Sequence, residues 1–146
     1  MAQSKKLIIY TDGGARGNPG PAGIGVVVYD EHKKKLAEYG EYIGEATNNQ
    51  AEYKAVILAL AKAKDLGGEE LSFFLDSELV VRQLTGEYRV KDKDLGSLFV
   101  KIWNAVQHFK KITYRHVPRS ENKPADLMVN RAIDAALHIK RRGTLS

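Results

Sequence analysis

Four carboxylates spread along the chain are the side chains best suited to carry out chemistry. Asp12 stands in "TDGG" after a strand-like run, and Asp76 stands in "FFLDSEL" where a strand gives way to a helix. Glu52, in "TNNQAEYKA", and Asp126, in "ENKPADLMVN", each lie near the start of a helical pattern. All four have ordinary structural explanations. Asp12 suits an Asp-Gly turn and Asp76 an N-cap, while Glu52 has the spacing of a capping box with Asn49 and Asp126 gains from the helix dipole.

The elements that would position these carboxylates follow from the hydrophobic pattern. Runs rich in Ile, Val and Tyr at 7–11, 24–29 and 36–43 predict three strands joined as an antiparallel meander. Further along, the pattern predicts helices at 49–66, 77–84, 95–109 and 123–139, with strands at 71–75 and 112–117. Three strands followed by alternating helix and strand indicate an α/β fold built on a mixed sheet.

Composition excludes several classes of protein. The chain has 146 residues, no cysteine and a formal net charge of +5. We therefore expect a single domain over 1–146, in the cytoplasm, without disulfides or thiolate metal sites. The longest apolar run, 55–61, is too short to span a membrane, so no membrane association is expected. The basic tail "KRRGTLS", from about residue 140, is expected to be mobile.

The predicted fold favours a shared functional site over the separate structural explanations of the four carboxylates. Strand ends and the adjoining helix starts gather along one edge of an open α/β sheet, which is where sites tend to form. Four carboxylates that meet there repel one another and resist full ionisation without a cation. Mg²⁺ or Mn²⁺ is the natural partner because both prefer oxygen ligands, and two such ions about 4 Å apart can drive hydrolysis of a phosphodiester.

Taken in order, four stretches of the chain resemble type 1 ribonuclease H from about residue 7 to residue 134. They are "YTDGGARGNPGPAGIG", "TNNQAEYKA", "LDSELVVRQL" and "HVPRSENKPADLMVNRA". The resemblance implies a ribonuclease H-like α/β fold, with a five-stranded mixed sheet flanked by helices. It also implies an endonuclease that cuts the RNA strand of RNA/DNA hybrids and leaves 5′-phosphate and 3′-hydroxyl ends.

The resemblance further implies which residues act. Asp12, Glu52, Asp76 and Asp126 match the family's catalytic, metal-binding carboxylates, which hold Mg²⁺ or Mn²⁺, two ions when substrate is bound. His116 matches a mobile histidine that aids proton transfer or product release, and a histidine titrating near neutrality suits that role. The ordinary explanation for His116 is an exposed residue at a strand end.

Substrate contacts are implied by the same resemblance. Asn18 and Asn49, with backbone groups around Gly13, would face the RNA strand, and Thr47 and Asn48 would grip a phosphate of the DNA strand. Loop turns and helix capping are their ordinary explanations.

Ser77 and Glu78 complete the predicted substrate-binding set. Glu78 stands where a glutamine is more familiar in the family, so its added charge could weaken contact with RNA. The segment "TGEYRVKDKD" at 85–94 replaces the long basic protrusion of many relatives, as in compact family members. We therefore expect weaker or more salt-sensitive binding of the substrate.

Two alternatives stay open from the sequence. One is another nuclease of the same superfamily fold, such as a junction resolvase, and the other is a catalytically idle nucleic-acid-binding module. The resemblance favours a monomer with no obligatory protein partner.

Overall fold

A computed structural model describes the backbone of residues 5–145 and the side chains of residues 5–138. Its sheet has five strands, in the order β3-β2-β1-β4-β5. They are β1 (Lys6–Ala15), β2 (Gly20–Asp30), β3 (Lys35–Ala46), β4 (Glu70–Leu75) and β5 (Lys111–His116). The first three pair antiparallel, and β4 pairs parallel with both β1 and β5. The predicted meander and mixed sheet are confirmed.

Within residues 5–145, four helices flank this sheet. They are α1 (Asn48–Asp65), α2 (Glu78–Leu84), α3 (Lys93–Val106) and α4 (Lys123–Leu145). A single 3₁₀ turn, Arg119–Glu121, precedes α4. The backbone of α4 continues to Leu145, beyond the predicted end at residue 139. The side chains of the basic tail lie outside the described residues, and the mobility of the tail stays a prediction.

The core forms where α1 lies against β1 and β2. Tyr53, Val56 and Leu60 of α1 are buried in one cluster with Ile9 of β1 and Phe73 of β4. Val56 and Leu60 belong to 55–61, where the sequence has no polar residue, so this segment of α1 is apolar on most of its circumference. This packing fixes the start of α1 against the sheet edge where β1 and β4 run parallel.

The structure corrects the predicted end of the first strand. The strand does not stop at residue 11, because β1 continues to Ala15 and Asp12 pairs with Gly25 of β2. The chain reverses later, over residues 16–19, so Asp12 is a strand residue and not part of an Asp-Gly turn. Its side chain is therefore held by a pleated, paired backbone.

Two helix caps also differ from the sequence-based explanations. The capping box of α1 is formed by Thr47 and Gln50, not by Asn49 and Glu52. The Thr47 hydroxyl accepts from the Gln50 amide at 3.1 Å, and the Gln50 side chain accepts from the Thr47 amide at 2.9 Å. Glu52 therefore takes no part in capping α1.

The N-cap of α2 is Ser77, whose hydroxyl accepts from the Val80 amide at 3.3 Å. Asp76 was the residue that the sequence suggested for this cap. Because Ser77 caps the helix, the Asp76 carboxylate is available for other contacts.

Glycines let both flanking helices approach the sheet. A Cβ at Gly13 would overlap the backbone of Ala51 in α1, and one at Gly25 would overlap the backbone of Ala125 in α4. Both helices therefore rest directly on strand backbone at these points, which brings their first turns close to Asp12. Within residues 5–145, no helix has the length and apolar character needed to cross a bilayer.

Alanine substitutions at a closely packed glycine and at an open one should have opposite effects on stability. We expect Gly25→Ala to lower the free energy of unfolding by about 1–3 kcal/mol, because α4 must shift to accept the methyl group. Gly96→Ala is the matched control, since Gly96 lies in α3 with open space around it, and it should stabilise by up to about 1 kcal/mol. Urea denaturation measures both. A neutral Gly25→Ala would contradict the described contact between α4 and β2.

Candidate active site

Three of the predicted carboxylates meet at one point. Parallel pairing of β1 with β4 brings Asp12 and Asp76 to the same sheet edge, and α1 places Glu52 above them. One carboxylate oxygen from each lies within 4.8 Å of the others. Asp126, in the first turn of α4, is outside this group of three but lines the same cavity of about 400 Å³.

Burial strongly favours the neutral forms of two of these carboxyls. The side chains of Asp12 and Glu52 are only 6% and 5% exposed. Burial first, and then the Asp76 charge, raises the pKa of Asp12 to about 7. Burial and the neighbouring Asp12 raise the pKa of Glu52 well above its usual value. Asp126 adds to the repulsion on Asp12.

Hydrogen bonds satisfy only part of the cluster. The Gly13 amide donates to Glu52 Oε1 at 3.2 Å, which favours the ionised form of Glu52. Glu52 Oε2 is buried and has no hydrogen-bond partner among the described residues. A buried oxygen without a partner is costly unless something binds it, and all the ligand atoms here are the hard oxygens that Mg²⁺ or Mn²⁺ prefers. The residues present therefore fit a divalent cation.

Asn122 is a site residue that the sequence-based analysis missed. Its side chain is fully buried, and its Nδ2 donates to the Thr11 carbonyl at 2.8 Å and to Asp76 Oδ2 at 3.1 Å. The backbone carbonyl of Asn122 accepts from the Asp126 amide at 3.1 Å. Asn122 thus ties β1, Asp76 and the start of α4 together. An asparagine just before a helix would ordinarily be explained as a cap, so its sequence position carried no distinct signal.

Four of the predicted substrate-binding residues line the cavity, namely Gly13, Asn48, Asn49 and Ser77. Asn18 does not line it, but its side-chain oxygen accepts from the Asn48 amide at 3.0 Å, and Asn48 Oδ1 accepts from the Ala15 amide at 2.8 Å. These bonds hold the turn after β1 against the start of α1. Thr47 caps α1, as its ordinary explanation suggested.

Glu78 lies on the exposed side of α2, away from the cavity lining. Arg82 donates to it through Nε at 3.0 Å and through Nη2 at 2.8 Å. This pair, and then the nearby His116, lowers the pKa of the Glu78 carboxyl. Much of the added negative charge that the sequence raised as a concern is therefore balanced locally by Arg82.

His116 ends β5, opposite Leu75 in the parallel register, and is exposed. It is not among the cavity-lining residues, and its partner in the register, Leu75, directly precedes Asp76. Two arginines that the sequence-based analysis did not select, Arg16 and Arg119, do line the cavity. Basic residues in loops are common, and only the folded arrangement shows that these two face the acidic cluster.

Comparisons with known proteins agree with this fold. A family model described as reverse transcriptase-like matches residues 10–132. The chain therefore belongs to the reverse transcriptase-like family, and its sequence-based recognition as a compact type 1 ribonuclease H is confirmed.

Curated relatives are longer than the matched segment. The bifunctional protein Rv2228c of Mycobacterium tuberculosis is 47% identical over 132 residues, which cover 90% of this chain and 36% of that protein. Ribonuclease HI of Halobacterium salinarum is 44% identical over 127 residues, which cover 87% of this chain and 64% of that protein. The chain thus spans less than two thirds of the length of either.

Solved structures match over most of both chains. LC11-RNase H1, in complex with RNA/DNA hybrid, has a TM-score of 0.87 and 49% identity, covering 90% of this chain and 99% of that one. RNase H1 from Halobacterium salinarum has a TM-score of 0.87 and 42% identity, covering 89% of this chain and 98% of that one.

The raised pKa of Asp12 predicts a pH dependence of stability. Between about pH 4 and pH 7 the folded chain keeps a proton that the unfolded chain releases, so the free energy of unfolding falls as the pH rises through this window. Asp12→Asn abolishes that titration. In EDTA, the variant should match the parent near pH 4 and exceed it near pH 7, by an amount of the order of a few kcal/mol.

Urea denaturation across this pH range measures the difference between the two proteins. Exposed carboxylates titrate alike in both and cancel in the comparison. Asp65→Asn, at the exposed far end of α1, is the control and should give a curve parallel to that of the parent. Parallel curves for the parent and Asp12→Asn would show that Asp12 ionises normally in the folded state.

Proposed function

We propose that the chain is an endonuclease that hydrolyses the RNA strand of RNA/DNA hybrids and leaves 5′-phosphate and 3′-hydroxyl ends. The observation that carries the proposal is the convergence of Asp12, Glu52 and Asp76 around a buried Glu52 oxygen that lacks a partner. The similarity to LC11-RNase H1, which was solved with an RNA/DNA hybrid, supports the choice of substrate.

Asp12, Glu52, Asp76 and Asp126 would hold Mg²⁺ or Mn²⁺, with two ions present when substrate is bound. Ions held there would activate a water and stabilise the leaving 3′-oxygen of the RNA strand. The backbone amide of Gly13 binds Glu52 Oε1, and Oε2, which has no partner among the described residues, would be free to bind a cation. Asn122 fixes Asp76 in the same way through its Oδ2.

The remaining residues would bind substrate and move protons. Asn18, Asn49 and the Gly13 backbone would face the RNA strand, while Thr47 and Asn48 would bind a phosphate of the DNA strand. These residues surround the start of α1, where backbone amides and side-chain amides are concentrated.

Ser77 and Glu78 would contact RNA beside Asp76. His116 would aid proton transfer or product release from its exposed position at the end of β5. We further propose that the chain acts as a cytoplasmic monomer without an obligatory protein partner.

The two alternatives fit the site less well. A catalytically idle binding module has no use for buried carboxylates that repel one another and lower its stability. A junction resolvase-like nuclease would not need Asn49 at the cavity, whose side-chain donors and acceptor suit the 2′-hydroxyls of RNA.

Cleavage assays separate these functions. The purified chain is incubated with labelled RNA/DNA hybrid, double-stranded RNA, single-stranded RNA and a DNA junction, each with Mg²⁺, with Mn²⁺ or with EDTA. We expect metal-dependent cleavage confined to the RNA of the hybrid, and a loss of more than about a hundred-fold in Asp76→Asn because a cation ligand is removed.

Asp65→Asn serves as the charge-matched control and should retain the parent activity, since Asp65 is exposed at the far end of α1. Cleavage of the junction alone would support the resolvase alternative, and binding without cleavage would support the idle module. Full activity of Asp76→Asn would rule out the metal-dependent mechanism.

Asn122 offers a second test because it acts on Asp76 without belonging to the carboxylate cluster. Asn122→Ala should lower kcat by roughly ten- to a hundred-fold with a smaller change in KM, since Asp76 loses its orienting donor. It should also cost about 1–3 kcal/mol of stability, because the buried Thr11 carbonyl loses its partner. Asn104→Ala, on the exposed face of α3, is the control and should change neither quantity. An unchanged kcat in Asn122→Ala would contradict the positioning role.

A further inference from the structure

Arg16 connects the end of β1 with α4 through its side chain. Its Nη1 lies 2.7 Å from Asp134 Oδ1, and its Nη2 donates to Asn130 Oδ1 at 3.3 Å. Asn130 and Asp134 are one helical turn apart, so both contact the guanidinium from the same face of α4. Asn130 in turn donates to the Asp126 carbonyl at 3.0 Å. The guanidinium is therefore held in one place by two neighbouring acceptors.

The contacts of the Arg16 side chain are not needed to stabilise the fold. The Arg16 and Asp134 side chains are 41% and 66% exposed, and ion pairs this open contribute only about 0–1 kcal/mol. The turn after β1 is held by other bonds, because the Arg16 amide donates to the Pro21 carbonyl at 2.8 Å and Asn48 contacts both Ala15 and Asn18. The turn therefore keeps its position without the Arg16 side chain.

Charge and geometry suit Arg16 to a phosphate. It lines the same cavity as the four carboxylates, where among the described residues only Arg119 is a second cation. A guanidinium has five N–H donors, and the contacts to α4 use Nη1 and Nη2. No acceptor among the described residues bonds to Nε. The planar fork matches the geometry of a phosphate, and a polyanion that approaches four carboxylates gains from a cation at this point.

We propose that Arg16 binds a backbone phosphate of the cleaved strand, next to the bond that is cut. This inference rests on the proposed function. Arg16 is the first residue of the turn after β1 and lines the same cavity as Asp12. Asn130 and Asp134 hold the guanidinium before substrate arrives, so little side-chain freedom is lost on binding.

The dependence of binding on salt tests the contact. An Asp76→Asn background keeps the hybrid intact, and the dissociation constant of a labelled RNA/DNA hybrid is measured by fluorescence anisotropy over a series of KCl concentrations at fixed Mg²⁺. Adding Arg16→Gln should weaken binding roughly ten-fold and reduce the slope of log affinity against log salt by about 0.7–0.9, the value for one lost phosphate contact.

Asp134→Asn is the matched control because it breaks the same ion pair and leaves the cation in place. The proposal predicts a slope equal to that of the parent, because the cation stays in place, and a smaller loss of affinity than in Arg16→Gln. Arg16→Met, a second neutral replacement, should behave like Arg16→Gln, and thermal denaturation verifies that each variant is folded. An unchanged slope in both neutral variants, or equal losses in Arg16→Gln and Asp134→Asn, would overturn the proposal.

The cleavage assay distinguishes a failure of the proposed function from a failure of the inference about Arg16. If the chain with Asp76 in place fails to cut any hybrid, the proposed function is wrong, and the inference about Arg16 fails with it. If that chain cuts the hybrid and Arg16→Gln keeps the salt slope of the parent, only the phosphate contact is wrong.

Discussion

The repulsion between buried carboxyls that share one sheet edge is the interaction on which the rest of the structure depends. Glu52 and Asp12 are almost fully buried beside Asp76, and burial makes their charged forms costly. Without a cation, the cluster relieves this cost by holding protons. With a cation, the same oxygens become ligands. The surrounding fold therefore has to keep the carboxyls close together in spite of their repulsion.

Several features of the backbone maintain that closeness. The parallel pairing of β1 and β4 fixes Asp12 beside Asp76, and Gly13 lets α1 approach until Glu52 reaches them. On the other face, Gly25 lets α4 approach β2, which brings Asp126 to the cavity. Each contact depends on backbone meeting backbone, so a side chain at Gly13 or Gly25 would displace the helix that carries Glu52 or Asp126. The same cavity is lined by these carboxylates and by two cations, Arg16 and Arg119.

Sequence patterns were sufficient for the architecture, because strand and helix periods are local. Three of the four carboxylates that the ordered motifs of the family selected meet in the fold, and the roles of all four stay predictions. Sequence patterns were insufficient where a residue's duty depends on distant neighbours. Asn122 contacts Thr11 and Asp76, which are 111 and 46 residues away, and nothing in its own segment indicates this. The caps were wrong for a related reason, since two adjacent residues could each cap α2 and only packing decides which one does.

The most direct test of this account is isothermal titration calorimetry of Mg²⁺ binding near pH 7, repeated in buffers of different ionisation enthalpy. Metal ligands must be deprotonated, so a cluster that holds protons without a cation must release them when the cation binds. The account predicts net proton release into the buffer by the parent chain and markedly less by Asp12→Asn. Binding of Mg²⁺ with no proton release, or with equal release by both proteins, would show that the carboxyls are already ionised, and it would contradict the account.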